Sequence, residues 1–448
     1  MEAGRADDRS VRPQRASGLL GRLGMAPESL PVALVVFLGG IGGGIAFPII
    51  PILGVELGLP AFLVGWILSA NRVTRLFANP AAGALIDRFG GKWPLTIGLL
   101  VEAAATGTYS IALHTSVPGS LLLLGRGIWG LGSAAIIVGG VTIALDASDQ
   151  ENRGRSTAAV RLALSLGMPA GLLAGGLVAG FVSDDAAFLF ATAVTLLAAA
   201  LAWWSVPRVR GRAERGRGAG ARGSERDRRP PGVRLRDAVA TVVHADRRVQ
   251  AVWLANMLVF FSVQGTLLAT LVLLVHARGI QIAGLAEQPM AGALLAVMML
   301  ASAGVTLYLG GALDRIPSRT GLALPGVVSG ALGFVLLALT RSPWLAVLAV
   351  VFLGLGMGGT SIPLLTLLGD LTPEGRRGHV VGYYQFFGDI GGSLGPIVGV
   401  ELVTGLGFTP TYLGVAGLLL LEVPLLAALW RAERRLVRRG GAGRGSPP

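Results

Sequence analysis

After a polar opening of about thirty residues, apolar residues run for roughly 20 positions at a time, break at a few Gly, Pro, Asp or Arg, and begin again. A helix of about 20 apolar residues crosses the hydrocarbon core of a bilayer. Twelve such stretches can be counted, near 31–54, 61–86, 94–114, 119–145, 157–182, 186–206, 249–276, 290–313, 322–340, 343–368, 379–404 and 410–430. The runs are continuous rather than alternating. A membrane barrel is thereby excluded, because its strands change polarity at every second residue, and lipid leaves helices as the remaining spanning element. The expectation is an all-α membrane protein with twelve transmembrane helices. Pro48 and Pro51, preceded by Gly39 to Gly44, predict a bent or locally unwound first span.

Composition agrees with the pattern: 52% of the 448 residues are hydrophobic, 14% are charged, and the mean hydropathy is +0.67. The 68 glycines, costly in soluble helices, read here as surfaces for close helix packing. Without cysteine there is neither a disulfide nor a thiolate metal site, and the four histidines lack metal spacing, so no metal or cofactor is expected. No nucleophile–base pair or phosphate loop supports an enzyme.

The formal charge of +13 would suggest nucleic acid in a soluble chain. Its placement says otherwise. Basic residues gather in the opening arm (Arg5, Arg9, Arg12, Arg15, Arg22), at Arg88 and Lys92, at Arg153 and Arg155, over 207–248, and from Arg431 onward. Alternating spans put all of these on one side, and the opposite loops hold only Arg278 and Arg341. Positive residues stay inside, so the sequence predicts a multi-pass protein of the cell membrane with both termini cytoplasmic. Its expected partners are the lipid bilayer and a small molecule, not nucleic acid, and it is expected to be a monomer. The first apolar run follows a long polar arm and exceeds the core of a signal peptide, so no cleavable leader is expected.

Two anchors recur at one offset. Gly83-Ala-Leu-Ile-Asp87-Arg88 returns as Gly310-Gly-Ala-Leu-Asp314-Arg315, with Asp87 and Asp314 separated by 227 positions (314 − 87). Pro169 and Pro396 are separated by the same 227 (396 − 169). A repeat of that length indicates a duplicated six-helix unit. The expected domains are a cytoplasmic arm over 1–30, a six-helix bundle over 31–206, a basic disordered linker over 207–248, a second bundle over 249–430, and a basic tail over 431–448.

Gly83-Ala-Leu-Ile-Asp87-Arg88-Phe-Gly90-Gly91-Lys92 resembles the loop signature between the second and third spans of the major facilitator superfamily. Gly91 is its one departure, at a position that family fills with a basic residue. Arg126-Gly127 with Gly130-Leu-Gly132 is similar to a fourth-span pattern linked there with proton coupling. The glycine–proline pattern of drug/proton antiporters is incomplete around Pro169, where Met168 precedes the proline, and appears in full as Gly391, Gly395, Pro396 and Gly399. The resemblance implies two pseudo-symmetric bundles, alternating access and a midplane substrate site between the halves. It also implies a cytoplasmic latch formed by Gly83, Asp87, Arg88, Gly90 and Lys92, with Asp314 and Arg315 as its second copy.

Ionisable residues at membrane depth are expensive, and each is a site candidate. Arg72 and Arg75 share one helix face at i, i+3 spacing. At about 1.5 Å per residue, Arg75 and Asp389 both sit roughly 15 to 17 Å from the cytoplasmic end of their spans. By resemblance these two spans face each other, so Asp389 is expected to bridge to Arg75 or Arg72, and the bridge to open and close as the halves rock. Arg126 is a candidate for binding an anionic substrate group or tuning a proton site. Asn71, Asn256, Gln264 and Gln385 are candidate polar groups of the cavity, whereas Glu102 and Glu422 are expected to reach the headgroups and Glu401 to be wet.

The sequence thus points to a secondary transporter that exports a small amphipathic compound in exchange for protons. Uptake or exchange of a small organic anion is the second reading, and a receptor or scaffold that no longer transports is the third.

Overall fold

A computed structural model describes residues 29–146, 153–206, 242–243, 245–282, 284–312, 319–372 and 377–431. The arm, most of the 207–248 linker, the tail beyond 431, and Asp314 with Arg315 lie outside the described residues. Every regular element is helical: α1 (Ser29–Gly44), α2 (Ile50–Glu56), α3 (Ala61–Phe89), α4 (Lys92–Leu113), α5 (Pro118–Asp146), α6 (Arg153–Phe181), α7 (Asp184–Ser205), α8 (Arg247–Arg278), α9 (Glu287–Ala312), α10 (Arg319–Leu339), α11 (Pro343–Asp370), α12 (Arg377–Gly405) and α13 (Phe408–Arg431).

Ten of these, α4 to α13, are long and apolar enough to cross a membrane. The count of twelve is reached by adding α3, whose run is interrupted by Arg72 and Arg75, and the pair α1–α2. That pair is one span broken between Gly44 and Ile50. Pro48 and Pro51 cannot donate to the helical ladder, and Pro51 sits in the first turn of α2 where no donor is needed. A break absent from the sequence reading occurs in α8, where Phe260–Leu267 widens into a π-helix.

The helices form two bundles with matching pairings. In the first bundle α1 packs on α6, α3 on α5, α4 on α5 and α4 on α7; in the second α8 packs on α12, α9 on α11, α10 on α11 and α10 on α13. The bundles meet through α3 against α12 and α6 against α9, a second symmetric pair. Glycine makes the tightest of these crossings possible. A Cβ at Gly265 would lie 2.6 Å from the Cα of Gly395, and one at Gly65 would lie 2.6 Å from the Cα of Ile397. Trp93 and Trp203 stack edge to face at 5.0 Å near the helix ends on the side of the termini, as an interfacial aromatic belt does.

Two carboxyls depart from expectation. Glu102 is 2% exposed and Glu422 is fully buried, so neither reaches the headgroups. Gly132 explains the first. It brings α5 so close to α4 that the Glu102 side chain lies over its Cα. Glu401 is exposed.

Candidate functional site

Two groups of side chains stand where the bundles meet, one buried and one open. The buried group begins on α3. Helical spacing turns Arg72 and Arg75 toward α12, where Arg75 Nη2 donates to Asp389 Oδ1 at 2.5 Å. Asp389 is 2% exposed and the Arg75 side chain 17%, so this is a desolvated pair spanning the two bundles. A backbone relay supports it: Ser393 Oγ donates to the carbonyl of Asp389 at 2.7 Å, and Ser69 Oγ donates to the carbonyl of Ser393 at 2.5 Å. Arg72 takes a different partner. Its Nη2 donates to Gln264 Oε1 at 3.1 Å, and Gln264 Nε2 in turn contacts Met357 Sδ at 3.7 Å. Gln264 belongs to the π-helical turn, whose extra residue swings it toward α3.

Arg126 lies behind this pair and is 1% exposed. It donates to the carbonyls of Ile67 and Leu68 at 3.4 Å each and to Asn71 Oδ1 at 3.2 Å. The rings of Phe47 and Trp129 flank it at 5.0 and 5.7 Å. The acid that α5 lacks comes from α4: Glu102 has Arg126 as its charged neighbour. Arg72 in turn feels Arg75, Asp389 and Arg126. A run of ionisable groups therefore extends from Glu102 in one bundle to Asp389 in the other, three guanidiniums with two carboxyls.

The open group lines a cavity of about 520 Å3. Its walls are Ala158 to Met168 of α6, Phe260 and Gln264 of α8, Met299 to Leu307 of α9, Met357 to Leu365 of α11, and Tyr384 of α12. All these stretches except the π-helical turn lie in the halves of their helices nearest the termini. At the other end the bundles are shut: Gly176 and Gly180 of α6 press on Gln288 and Pro289 of α9, and Gly65 on Ile397. The structure is thus open toward the face that bears the termini.

Of the four amides expected at the cavity, Gln264 lines it. Asn71 is spent on Arg126, and Asn256 is buried, donating to the carbonyl of Tyr384 at 2.8 Å. Gln385 is exposed but does not line the cavity. Periodicity alone does not say which face of an all-apolar helix meets its neighbour. In the loop motif, Asp87 and Arg88 end α3 as exposed residues, with Arg88 over the Phe89 ring at 5.1 Å. Gly90 closes the helix at φ +77, a conformation that side chains rarely adopt, and Lys92 starts α4. Gly83 meets nothing within 4 Å where a Cβ would be.

Sequence reasoning missed Arg161. This residue is exposed in the cavity wall, and no carboxylate partner faces its guanidinium among the described residues. Standing near the start of its span, it reads as an ordinary interfacial charge. The signal was its spacing with Ala158, Leu162, Ser165 and Met168, which share its helix face.

The model of the Major Facilitator Superfamily matches residues 32–396 and again 286–447. The chain is 28% identical to the tetracycline resistance protein, class C, of Escherichia coli over 377 residues, 82% of this chain and 88% of that one. It is 28% identical to multidrug resistance protein 2 of Bacillus subtilis and 29% identical to the quinolone resistance protein NorA of Staphylococcus aureus, each over 164 residues. Those two matches span only about two fifths of the relatives' length, 40% and 41%. Solved structures of the nucleoside transporter NupG (TM-score 0.73, 15% identity, 90% of this chain and 98% of that one) and the POT family transporter PepTSo (TM-score 0.70, 14% identity, 92% and 99%) share the fold.

Proposed function

The chain belongs to the Major Facilitator Superfamily and is a secondary transporter, and from that premise we propose that it exports a small amphipathic compound in exchange for protons. The carrying observation is the buried Arg75–Asp389 pair across the bundle boundary. A proton arriving on Asp389 removes its charge and releases Arg75, loosening α3 from α12. Deprotonation restores the pair and draws the bundles together. The substrate occupies the 520 Å3 cavity, within the range of small-molecule sites. The outward direction is supported by the resemblance to resistance proteins, since removing a compound from the cell confers resistance to it.

The face that bears the termini is cytoplasmic in this reading, because its loops carry the arginines. The cavity then opens inward, the Asp87 latch is released, and its closure would accompany the outward-facing state. The test is transport in proteoliposomes under an imposed pH gradient. Asp389→Asn abolishes the response to the gradient while exchange of substrate without net flux persists. Gradient-driven transport undiminished in Asp389→Asn overturns the coupling role.

A further inference from the structure

The cavity is lopsided in charge. Among the described residues its lining holds Arg161 and no carboxylate. Three acids stand behind the wall: Asp389 holds Arg75, Glu102 has Arg126 as its charged neighbour, and Glu422, buried with no hydrogen-bond partner among the described residues, is the acid that Tyr384 of the wall feels. Arg72 reaches the lining through Gln264, so the inner end of the cavity feels a guanidinium that no carboxylate bonds directly. Arg161 with the three buried arginines outnumbers the three carboxyls and leaves a positive surplus beside a low-dielectric chamber, where a charge acts over a longer range than in water. A cation entering this cavity would lose its hydration and meet repulsion. An anion would meet Arg161.

The rest of the wall suits a hydrophobic body. Met168, Met299 and Met357 line it with Phe260, Leu162 and Tyr384. Methionine side chains reshape to fit varied apolar surfaces. Tyr384 spends its hydroxyl on the carbonyl of Ser361 at 2.9 Å, leaving its ring as the contacting surface. Arg161 stands on α6 of the first bundle with Leu162 and Met168 beside it, whereas Phe260, Met299, Met357 and Tyr384 stand on the second, so a ligand held by Arg161 and packed on the second bundle would touch both moving bodies.

We infer that the cavity binds amphipathic organic anions, holding a carboxylate, or another compact oxyanion, on Arg161 and an apolar or aromatic body against the methionines. This rests on the reading of the cavity as the transported compound's site and narrows its substrate class.

The test uses the full chain in lipid nanodiscs with three probes: dansylglycine, its uncharged methyl ester, and the cation ethidium. Fluorescence titration of the wild-type chain is expected to rank dansylglycine first and ethidium last. Arg161→Gln weakens dansylglycine binding about tenfold or more, the worth of one charge-assisted hydrogen bond. It leaves the methyl ester unchanged, which also shows that the variant is folded, and Arg161→Lys recovers much of the anion preference. Equal binding of acid and ester, preference for ethidium, absence of dansylglycine binding, or an unchanged preference in Arg161→Gln overturns the inference. Flux separates it from the export proposal. Ethidium driven by a pH gradient without dansylglycine movement sustains export and overturns the anion site. Arg161-dependent dansylglycine binding that no pH gradient converts into flux sustains the site and overturns proton coupling.

Discussion

Asp389 and Glu422 are both buried carboxyls in the second bundle, yet their surroundings give substitutions opposite consequences. Asp389 holds a guanidinium, so Asp389→Leu leaves Arg75 buried and uncompensated at a cost of about 3–5 kcal/mol. Thermal unfolding in detergent is expected to show a large drop in midpoint, partly recovered when Arg75→Leu is added. Among the described residues Glu422 has no hydrogen-bond partner on either oxygen. Such a group contributes nothing to offset its desolvation, so Glu422→Met, of similar volume, is expected to leave the midpoint unchanged or raise it. A drop as large as that of Asp389→Leu would show that Glu422 has a partner in another conformation. Both residues look alike in sequence as lone acids in apolar runs. Only the neighbour differs, and the neighbour comes from a different helix.

Among the elements, α8 and α12 show how local sequence and packing combine. Gly391, Gly395 and Gly399 recur every four residues and so form one stripe of α12, and that stripe seats on the carbonyls of Met257 and Phe261, on Gly265 and on Thr266. Gly167, Gly171 and Gly175 form the same stripe on α6 against α1. The drug-antiporter pattern is complete on α12 and incomplete on α6, but the packing is shared, because spacing rather than the adjoining proline makes the groove. Gly265→Val would push α12 away from the π-helical turn that carries Gln264. It is expected to lower stability by about 1–3 kcal/mol and to reduce substrate affinity, measured by titration of the purified chain. Unaltered affinity with lowered stability would separate the π-turn from the cavity. The π-turn itself is not legible in the apolar run, since one widened turn depends on what presses against it.

At the scale of the whole molecule, the two bundles are closed at one end and open at the other, and a transporter of this kind has to exchange those ends. The chain contains no cysteine, so an engineered pair is free of side reactions. With Gly180→Cys and Pro289→Cys, oxidation is expected to lock α6 to α9 at the closed end and stop transport, and reduction to restore it. Transport continuing at full rate across the formed disulfide would rule out opening at that end. Asp87→Asn is expected to slow flux by weakening the state closed at the termini face, with binding to the open state intact. Equal rates in the variant and the natural chain would remove the latch from the mechanism.

Fold class, span number and duplication were legible in the chain, because lipid demands about 20 apolar residues per helix and a repeated unit keeps its offset between Asp87 and Asp314. Equal depth of Arg75 and Asp389 was legible too, since depth in a helix is a count of residues. Facing was not. Spans that are apolar on nearly every side carry little record of which side meets which neighbour, and so Glu102 with Arg126, the burial of Asn71 and Asn256, and the exposed Arg161 in the cavity were decided by the tertiary structure. Rotation of a helix about its axis is set by the glycine contacts of its neighbours, which only the assembled bundles bring together.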